Sequence, residues 1–538
     1  MPSRASEPPA GFAGLATETR TITGVSKSTG YTYNLDGSVK TLIYPSGRVV
    51  TYTPDSAGRL LSAVDGNGTQ YVSNATYYAS GAEYQRFMPG IYFRTSLNSR
   101  LQVSQFYSDN GVVNSFFVDK TYSYGALHQN NGNVISITNN KDSNRSQSFT
   151  YDPLNRLTSG WSAANTGAYS WGENYSIDAW GNLQISPMGG KAHGGNFQLS
   201  GNAQNRPTGL NYDAAGNMMS YLSATYSYDQ ENRLSSTSGV TYTYNANGKR
   251  VLKSNTVGGA AVKRYWSMGG NTLAEGDGTG NLTAEYIYFG GKRVARIDLP
   301  ANTAHYYLSD HLSSTSLVAS AAGAIEEESD YYPFGTELVM AAGSNHYKFT
   351  SKERDSETSL DYFGARYFSN GMGRFVTPDW SAGPATVPYA HLDNPQTLNL
   401  YSYVDNNPIN GIDPDGHAIN HEFDGPSGLD AAPLIEGDST QSQAVLAFPA
   451  MQDGHHRSCF CQGGFWSRLG QRFRNLRSGK GFHTDEQLIP KGTVTTSLPW
   501  KYASLIPPLR LPRTLLAFSA SPPRQCRRNL AWGMRLLL

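Results

Sequence analysis

Along most of this chain apolar and polar residues alternate one for one. Tyr31-Thr32-Tyr33, Tyr226-Ser227-Tyr228 and Tyr242-Thr243-Tyr244 are the plainest cases. A period of two sets the tyrosines on one face of a strand and the hydroxyls on the other. Each run then meets Asp or Asn, a short gap, Gly or Asn, and a basic residue or Leu. Asn34 leads through Asp36 to Gly37, Asp55 to Gly58-Arg59-Leu60, and Asp152 to Asn155-Arg156-Leu157. Asp213 leads to Gly216-Asn217-Met218, Asp229 to Asn232-Arg233-Leu234, and Asn245 to Gly248-Lys249-Arg250. The Asp/Asn and Gly/Asn pair supplies the side-chain cap and the positive φ of a tight turn. The unit is strand, turn, strand. One such hairpin is marginal in water, so the units bury their aromatic faces by stacking on one another.

The repeats are irregular. Residues 81–141 keep strand-like runs such as Val112-Val113-Asn114-Ser115-Phe116-Phe117-Val118 but lose the tyrosine–aspartate signature. Gly189-Gly190, Gly269-Gly270 and Gly290-Gly291 mark further turns. Residues 1–25 read as a loose leader or the cut edge of a longer array. After residue 417 the alternation stops. Residues 418–450 are acidic and rich in Pro, Gly and Ala, as a linker is. Residues 455–482 are basic and fit one amphipathic helix around Trp466, Leu469, Phe473 and Leu476. From residue 499 onward Pro, Leu, Arg and Ser follow no period, the texture of a frameshifted read-through.

Composition narrows the picture. A chain of 538 residues is a few domains or a repeat array. With 56 Gly, 35 Tyr and a mean hydropathy of −0.47, the array fits better. A net charge of +1 excludes an evident whole-molecule nucleic-acid binder. The balance is uneven: residues 451–538 carry 14 Lys or Arg against Asp453, Asp485 and Glu486, which leaves about −10 for the first 450. Cys459, Cys461 and Cys526 all lie in that basic segment, so the body holds no disulfide. The N-terminus lacks the apolar run of a signal peptide. No stretch of about 18 apolar residues suggests a transmembrane helix.

Residues 348–417 mix glycine, aromatics, turn pairs and isolated charges more densely than a plain repeat needs. They contain Lys352-Glu353-Arg354-Asp355, Asp361-Tyr362-Phe363-Gly364-Ala365-Arg366-Tyr367, Gly373-Arg374-Phe375 and Pro378-Asp379. Asn399-Leu400-Tyr401, Asn406-Asn407-Pro408 and Asp413-Pro414-Asp415-Gly416 follow. This order of words resembles the repeat-associated core that closes the RHS/YD-repeat family, which includes bacterial Rhs toxins, insecticidal toxin-complex C components and teneurin-like shells. Tyr306-Tyr307-Leu308-Ser309-Asp310-His311-Leu312 and Tyr332-Pro333-Phe334-Gly335 are also family phrases. The resemblance spans residues 30–417. It implies an all-β fold: YD-repeat hairpins wound as a spiralling sheet, a partial shell, closed by an RHS core and followed by a variable C-terminal tail. The expected divisions are 1–25, repeats at 26–300, core at 301–417, and a tail at 418–538 split into a 418–450 linker and the basic 451–538 segment.

Asp379 and Asp413 are the candidates for chemistry. Two carboxylates brought together split their titrations, so one can serve as base toward water and the other as acid. They lie far apart in sequence, so only folding could pair them. By the family resemblance these aspartates, with Arg366, support self-cleavage just after the core, between His417 and Ala418. Arg366 would hold the chain or the developing oxyanion. Read without the family, the same residues are turn formers and a strand bridge. His417 stands where many self-cleaving members carry leucine, Trp380 follows Asp379 where proline is common, and 381–397 is longer than the usual glycine-rich link. Asp310 and His311 offer a relay or ligand pair, against the plainer reading of a hydrogen-bonded histidine at a strand end. His455, His456, Cys459 and Cys461 invite zinc, but Cys-x-Cys is not the usual ligand gap. No metal or other cofactor is expected, and the tail shows no enzyme motif.

The expected function is a scaffold that encloses or presents the C-terminal segment as cargo, a polymorphic toxin releasing its tail by an aspartyl-type autoprotease. The alternatives are a surface or adhesion module binding carbohydrate on its tyrosines, or a degenerate fragment without activity. The resemblance implies a secreted or cell-surface location and partners such as an immunity protein or secretion machinery. Nucleic acid or an anionic membrane would be met only through the basic tail.

Overall fold

The computed structural model describes residues 16–417 apart from 113–114, 127–128, 256–261, 381–386 and 388–393. The first 15 residues of the expected leader, the linker and the basic segment with its helix and its His/Cys group lie outside the described residues. So does most of the 381–397 insert.

The turn words form one recurrent device. At Asp55, Oδ1 accepts the N–H groups of Ala57 at 2.8 Å and Arg59 at 3.0 Å, and Oδ2 takes Arg59 Nε at 2.8 Å. Asp152 does the same with Leu154 and Arg156, and Asp229 with Glu231 and Arg233. The residue before each arginine must turn left-handed, and Gly58 (φ 80°), Asn155 (62°) and Asn232 (60°) do so. Where asparagine replaces arginine, at Asn182 and Asn217, its amide bonds the same carboxylate.

At three of these turns the tyrosine ahead of the Asp or Asn ties its unit to the previous one. Tyr151, Tyr228 and Tyr244 each donate at 2.7 Å to a carbonyl one hairpin back, on Val134, Met218 and Leu234. The arginine of the earlier turn lies over the later tyrosine, 5.0 Å for Arg233 on Tyr244 and 5.1 Å for Arg59 on Tyr77.

This device repeats along two antiparallel meanders. Fifteen strands pair in chain order from Thr17–Ile22 to Leu183–Pro187, and thirteen more from Ser220–Tyr221 to Glu337–Ala341. Among the described residues no pairing joins the first strand of either meander to its last, so neither sheet closes on itself. The fold is all-β, as the alternation predicts. The stretch without the tyrosine–aspartate signature also keeps the meander. There Asn98 caps the N–H groups of Arg100 and Gln102, and Leu101 takes the left-handed position (φ 63°). The three Gly-Gly pairs are turns.

The second meander runs without a break past residue 300. A separate four-stranded sheet then follows: Glu353–Arg354, Leu360–Tyr362, Tyr367–Ser369 and Arg374–Phe375. Phe349, Phe363, Phe368, Phe375 and Tyr403 pack ring on ring in its middle, with Phe368 and Tyr403 centroids 4.6 Å apart. This block joins both meanders into one core that extends from Tyr31 to Ile409. Asn410 accepts the Val134 N–H at 2.8 Å on one side, and Tyr367 meets Tyr242 at 5.8 Å on the other.

Candidate functional site

The Phe-Gly-Ala-Arg and Asp-Pro-Asp-Gly-His words lie against each other. Glycine permits it. A Cβ on Gly416 (φ 92°) would stand 3.0 Å from Arg366 N and 3.1 Å from Ala365 N, and one on Gly364 would stand 2.9 Å from Asp415 O. With both absent, the Ala365 N–H donates to Asp415 O at 2.9 Å.

Around this contact the fold assembles every described residue of the expected site. Arg366, Asp379 and Asp413 are all buried. Arg366 Nη2 lies 3.2 Å from Asp379 Oδ2 and 3.4 Å from Asp413 Oδ2, so one guanidinium nitrogen serves both carboxylates. Arg366 Nε donates to the Gly416 carbonyl and Nη1 to the Leu400 carbonyl at 3.0 Å. Its plane covers Phe375 at 3.6 Å. Arg366 thus grips the backbone one peptide ahead of the expected cut. His417 Nδ1 donates to Asp379 Oδ1 at 2.7 Å, and its ring meets Trp380 edge-on at 4.9 Å. Ala418, the other side of the expected scissile bond, lies outside the described residues.

Asp413 repeats the turn device seen along the meanders. Its Oδ1 accepts the N–H groups of Gly416 at 2.6 Å, His417 at 3.1 Å and Asp415 at 3.2 Å. Burial raises its carboxyl above the usual range, and the opposing pull of Arg366 and the Gly416 N–H does not cancel this. Burial likewise lowers Arg366 against the pull of both aspartates. The arrangement can hold a proton on Asp413 beside the backbone it caps while Arg366 fixes that backbone.

Two contributors escape a reading of the words alone. Lys352, which opens the Lys-Glu-Arg-Asp word, donates to the Pro414 carbonyl, and burial brings its ammonium down to about 8. Leu400 supplies both the carbonyl on Arg366 and the acceptor for the Asp379 N–H at 2.9 Å. The remaining acids of these words are structural. Asp361 pairs with Arg354 at 2.7 Å, and Asp355 with Arg250 at 2.6 Å.

The other candidate groups take the plainer reading. Asp310 caps Leu312 and Ser314 as a turn aspartate, and His311 Nε2 donates to the Ile409 carbonyl at 3.0 Å while its ring packs on Tyr122. Glu275, His346 and Glu353 bring ligand atoms within 4.8 Å of one another. Lys263 Nζ already stands there, 3.2 Å from Glu275 and 3.3 Å from His346 Nε2, and Arg250 holds Glu353 at 2.8 Å. These cations neutralise the group, which is an internal ion network rather than a metal site. The His455, His456, Cys459 and Cys461 group lies outside the described residues. Among the described residues no helix is long and apolar enough to cross a membrane.

Comparison with known proteins bears on the repeats and the fold. The RHS Repeat family profile matches residues 33–70. The tRNA nuclease WapA of Bacillus subtilis is 27% identical over 262 residues, 46% of this chain and 11% of that protein. The toxin subunit YenC1 of Yersinia entomophaga is 27% identical over 450 residues, 69% of this chain and 42% of that protein. The Photorhabdus luminescens Tc holotoxin pore aligns with a TM-score of 0.61 at 21% identity, covering 73% of this chain and 21% of that one. The chain therefore spans less than half the length of these relatives. The resemblance to RHS/YD-repeat proteins holds: residues 33–70 carry the RHS repeat, and the chain shares the fold of toxin-complex shells.

Proposed function

We propose that this RHS-repeat scaffold presents residues 418–538 as toxin cargo and releases them by an aspartate-dependent cut between His417 and Ala418. The single observation that carries this reading is the one Arg366 nitrogen shared by Asp379 and Asp413 beside the backbone of Gly416 and His417. In the cut, Asp379 takes a proton from water as the water oxygen attacks the His417 carbonyl carbon. The C–N bond to Ala418 breaks, and the Asp413 carboxyl gives its proton to the leaving nitrogen. Arg366 holds the segment through the Gly416 carbonyl and keeps the two carboxylates in reach of each other.

On this reading the repeats take residues 26–300, with their strand ladder running on to Ala341, the core takes 301–417 and the tail 418–538. A toxin-complex component, an immunity protein or secretion machinery would be partners, and placement would be secreted or cell-surface, on the toxin-related relatives. Intact-protein mass spectrometry on the whole chain tests the cut. Wild type is expected to give two fragments separating at His417–Ala418, and Asp413→Asn and Asp379→Asn one uncut chain. A single uncut wild-type chain would leave the core purely structural.

A further inference from the structure

The rim of the second meander has a notch in it. Turns joining its alternate strand pairs fall along one rim, and four of these six are five residues long, among them the asparagine turn 245–249 and the aspartate turn 310–314. At Gly269-Gly270 and Gly290-Gly291 the chain reverses in two residues. Both shorter turns lie between the two longer ones. The gap they leave is a cavity of about 540 Å³, and the opposite wall is made by residues 347–353 and 412–415 of the core.

The charged groups on this wall are not balanced alike. Arg250 is held by Glu353 at 2.8 Å and Asp355 at 2.6 Å. Asp413 is held by Arg366. Arg293 has no carboxylate within ion-pair distance among the described residues, although it is only 7% exposed. It is caged by tyrosines instead, with its guanidinium 3.5 Å from the Tyr347 ring and 5.5 Å from that of Tyr288. Two of its nitrogens bond neutral oxygens, Nη1 to Ser351 Oγ at 2.9 Å and Nη2 to Tyr288 Oη at 3.2 Å, and its buried Nε has no partner. A buried guanidinium with an unfilled donor is costly unless an anion completes it. Lys352 and Lys249 line the same cavity, as do Ser351 and Ser313.

We infer that this notch is a binding site for a small oxyanion, a phosphate or carboxylate group, with Arg293 as its anchor and Lys352 as a second cation. The tyrosine cage holds the guanidinium face, so the in-plane N–H groups not spent on Ser351 and Tyr288, Nε–H first among them, remain for a planar or tetrahedral oxyanion. The site borders the Asp413 turn but does not depend on any cut there.

Isothermal titration of the whole chain with inorganic phosphate at constant ionic strength tests the site, with acetate as the carboxylate arm. Saturable binding of one anion per chain is expected, weakened by about tenfold or more in Arg293→Met, which loses charge-assisted hydrogen bonds. Arg293→Lys keeps the charge in the cage but not the fork, and Lys352→Met leaves the cage intact. Both are expected to weaken binding with the fold intact by circular dichroism, which covers the case in which Arg293→Met does not fold. Stronger binding of phosphate than acetate makes the ligand a phosphate group, and the reverse makes it a carboxylate. The inference is overturned if neither anion gives saturable heat in the millimolar range, or if folded Arg293→Lys and Lys352→Met bind as wild type does.

Discussion

At the scale of single residues, buried charge decides most of what this core can do. Arg250 is the clearest case, with its side chain 1% exposed between Glu353 and Asp355. Arg250→Met leaves two buried carboxylates short of a cation and is expected to cost about 3–5 kcal/mol in chemical denaturation. Asp413 sets a different expectation. Its carboxyl is raised by burial, so it keeps a proton above the ordinary aspartate range and loses it as pH climbs further. If it is the acid of the cut, fragment formation followed by mass should be fastest in acid and slow as pH climbs above the ordinary aspartate range. A rate that is flat or rising over that climb would remove Asp413 from the acid role. Arg366, Asp379 and Asp413 were legible because they stand in fixed words. The Arg250 partnership was not, because 103 residues separate it from Glu353 and only the folded meander brings them together. Nor was the His417 bond to Asp379, since no spacing rule pairs a loop histidine with a carboxylate 38 residues earlier.

At the scale of the element, the repeat is a turn and a ladder, and they can be tested separately. Asn232 sits at φ 60° in the Asp229 turn. Asn232→Gly keeps the backbone region but loses the Oδ1 that accepts from Asn217 Nδ2 at 2.9 Å, about 1 kcal/mol in thermal melts, whereas Asn232→Val should cost about 1–2 kcal/mol more, because a β-branched residue resists that region. Tyr244→Phe removes the hydroxyl that reaches the Leu234 carbonyl and, at 3.0 Å, the Tyr367 hydroxyl, and about 1–2 kcal/mol should go with it. Equal melts for Tyr244→Phe and wild type would mean that the rings alone tie the units together. The alternation and turn words made strands and hairpins readable wherever Asp or Asn met Gly or Asn. They lapsed around residue 98 because Leu101 fills the left-handed position there, and leucine carries no turn signal. The continuation of the meander to Ala341 was hidden for a related reason. The 310–314 and 332–336 turns belong to words that also mark the core, so vocabulary and strand pairing change at different places.

At the scale of the whole described body, the two meanders are joined by charges that come from distant parts of the chain. Arg48 of the first reaches Glu285 of the second at 3.0 Å. Lys120 and Arg145 converge on Asp330 at 2.8 and 2.6 Å. Burial alone would raise Asp330, but the two cations outweigh it and hold the carboxyl at about 2, below its ordinary 3.8. A lowered folded value means that this contribution is complete above the unfolded value. It is lost as pH falls from about 4 through about 2, when the proton returns to Asp330. The loss amounts to about 2 kcal/mol, and it falls on the junction between the meanders rather than inside either one. Denaturant melts on acidification should therefore show the junction weakening in that window. Lys120→Met, which takes away one of the two cations, should narrow the window and flatten the fall, while lowering stability at neutral pH. A variant whose acid profile parallels wild type would place the acid sensitivity in other carboxylates, and the meanders would then be joined chiefly by the shared aromatic core between Tyr31 and Ile409.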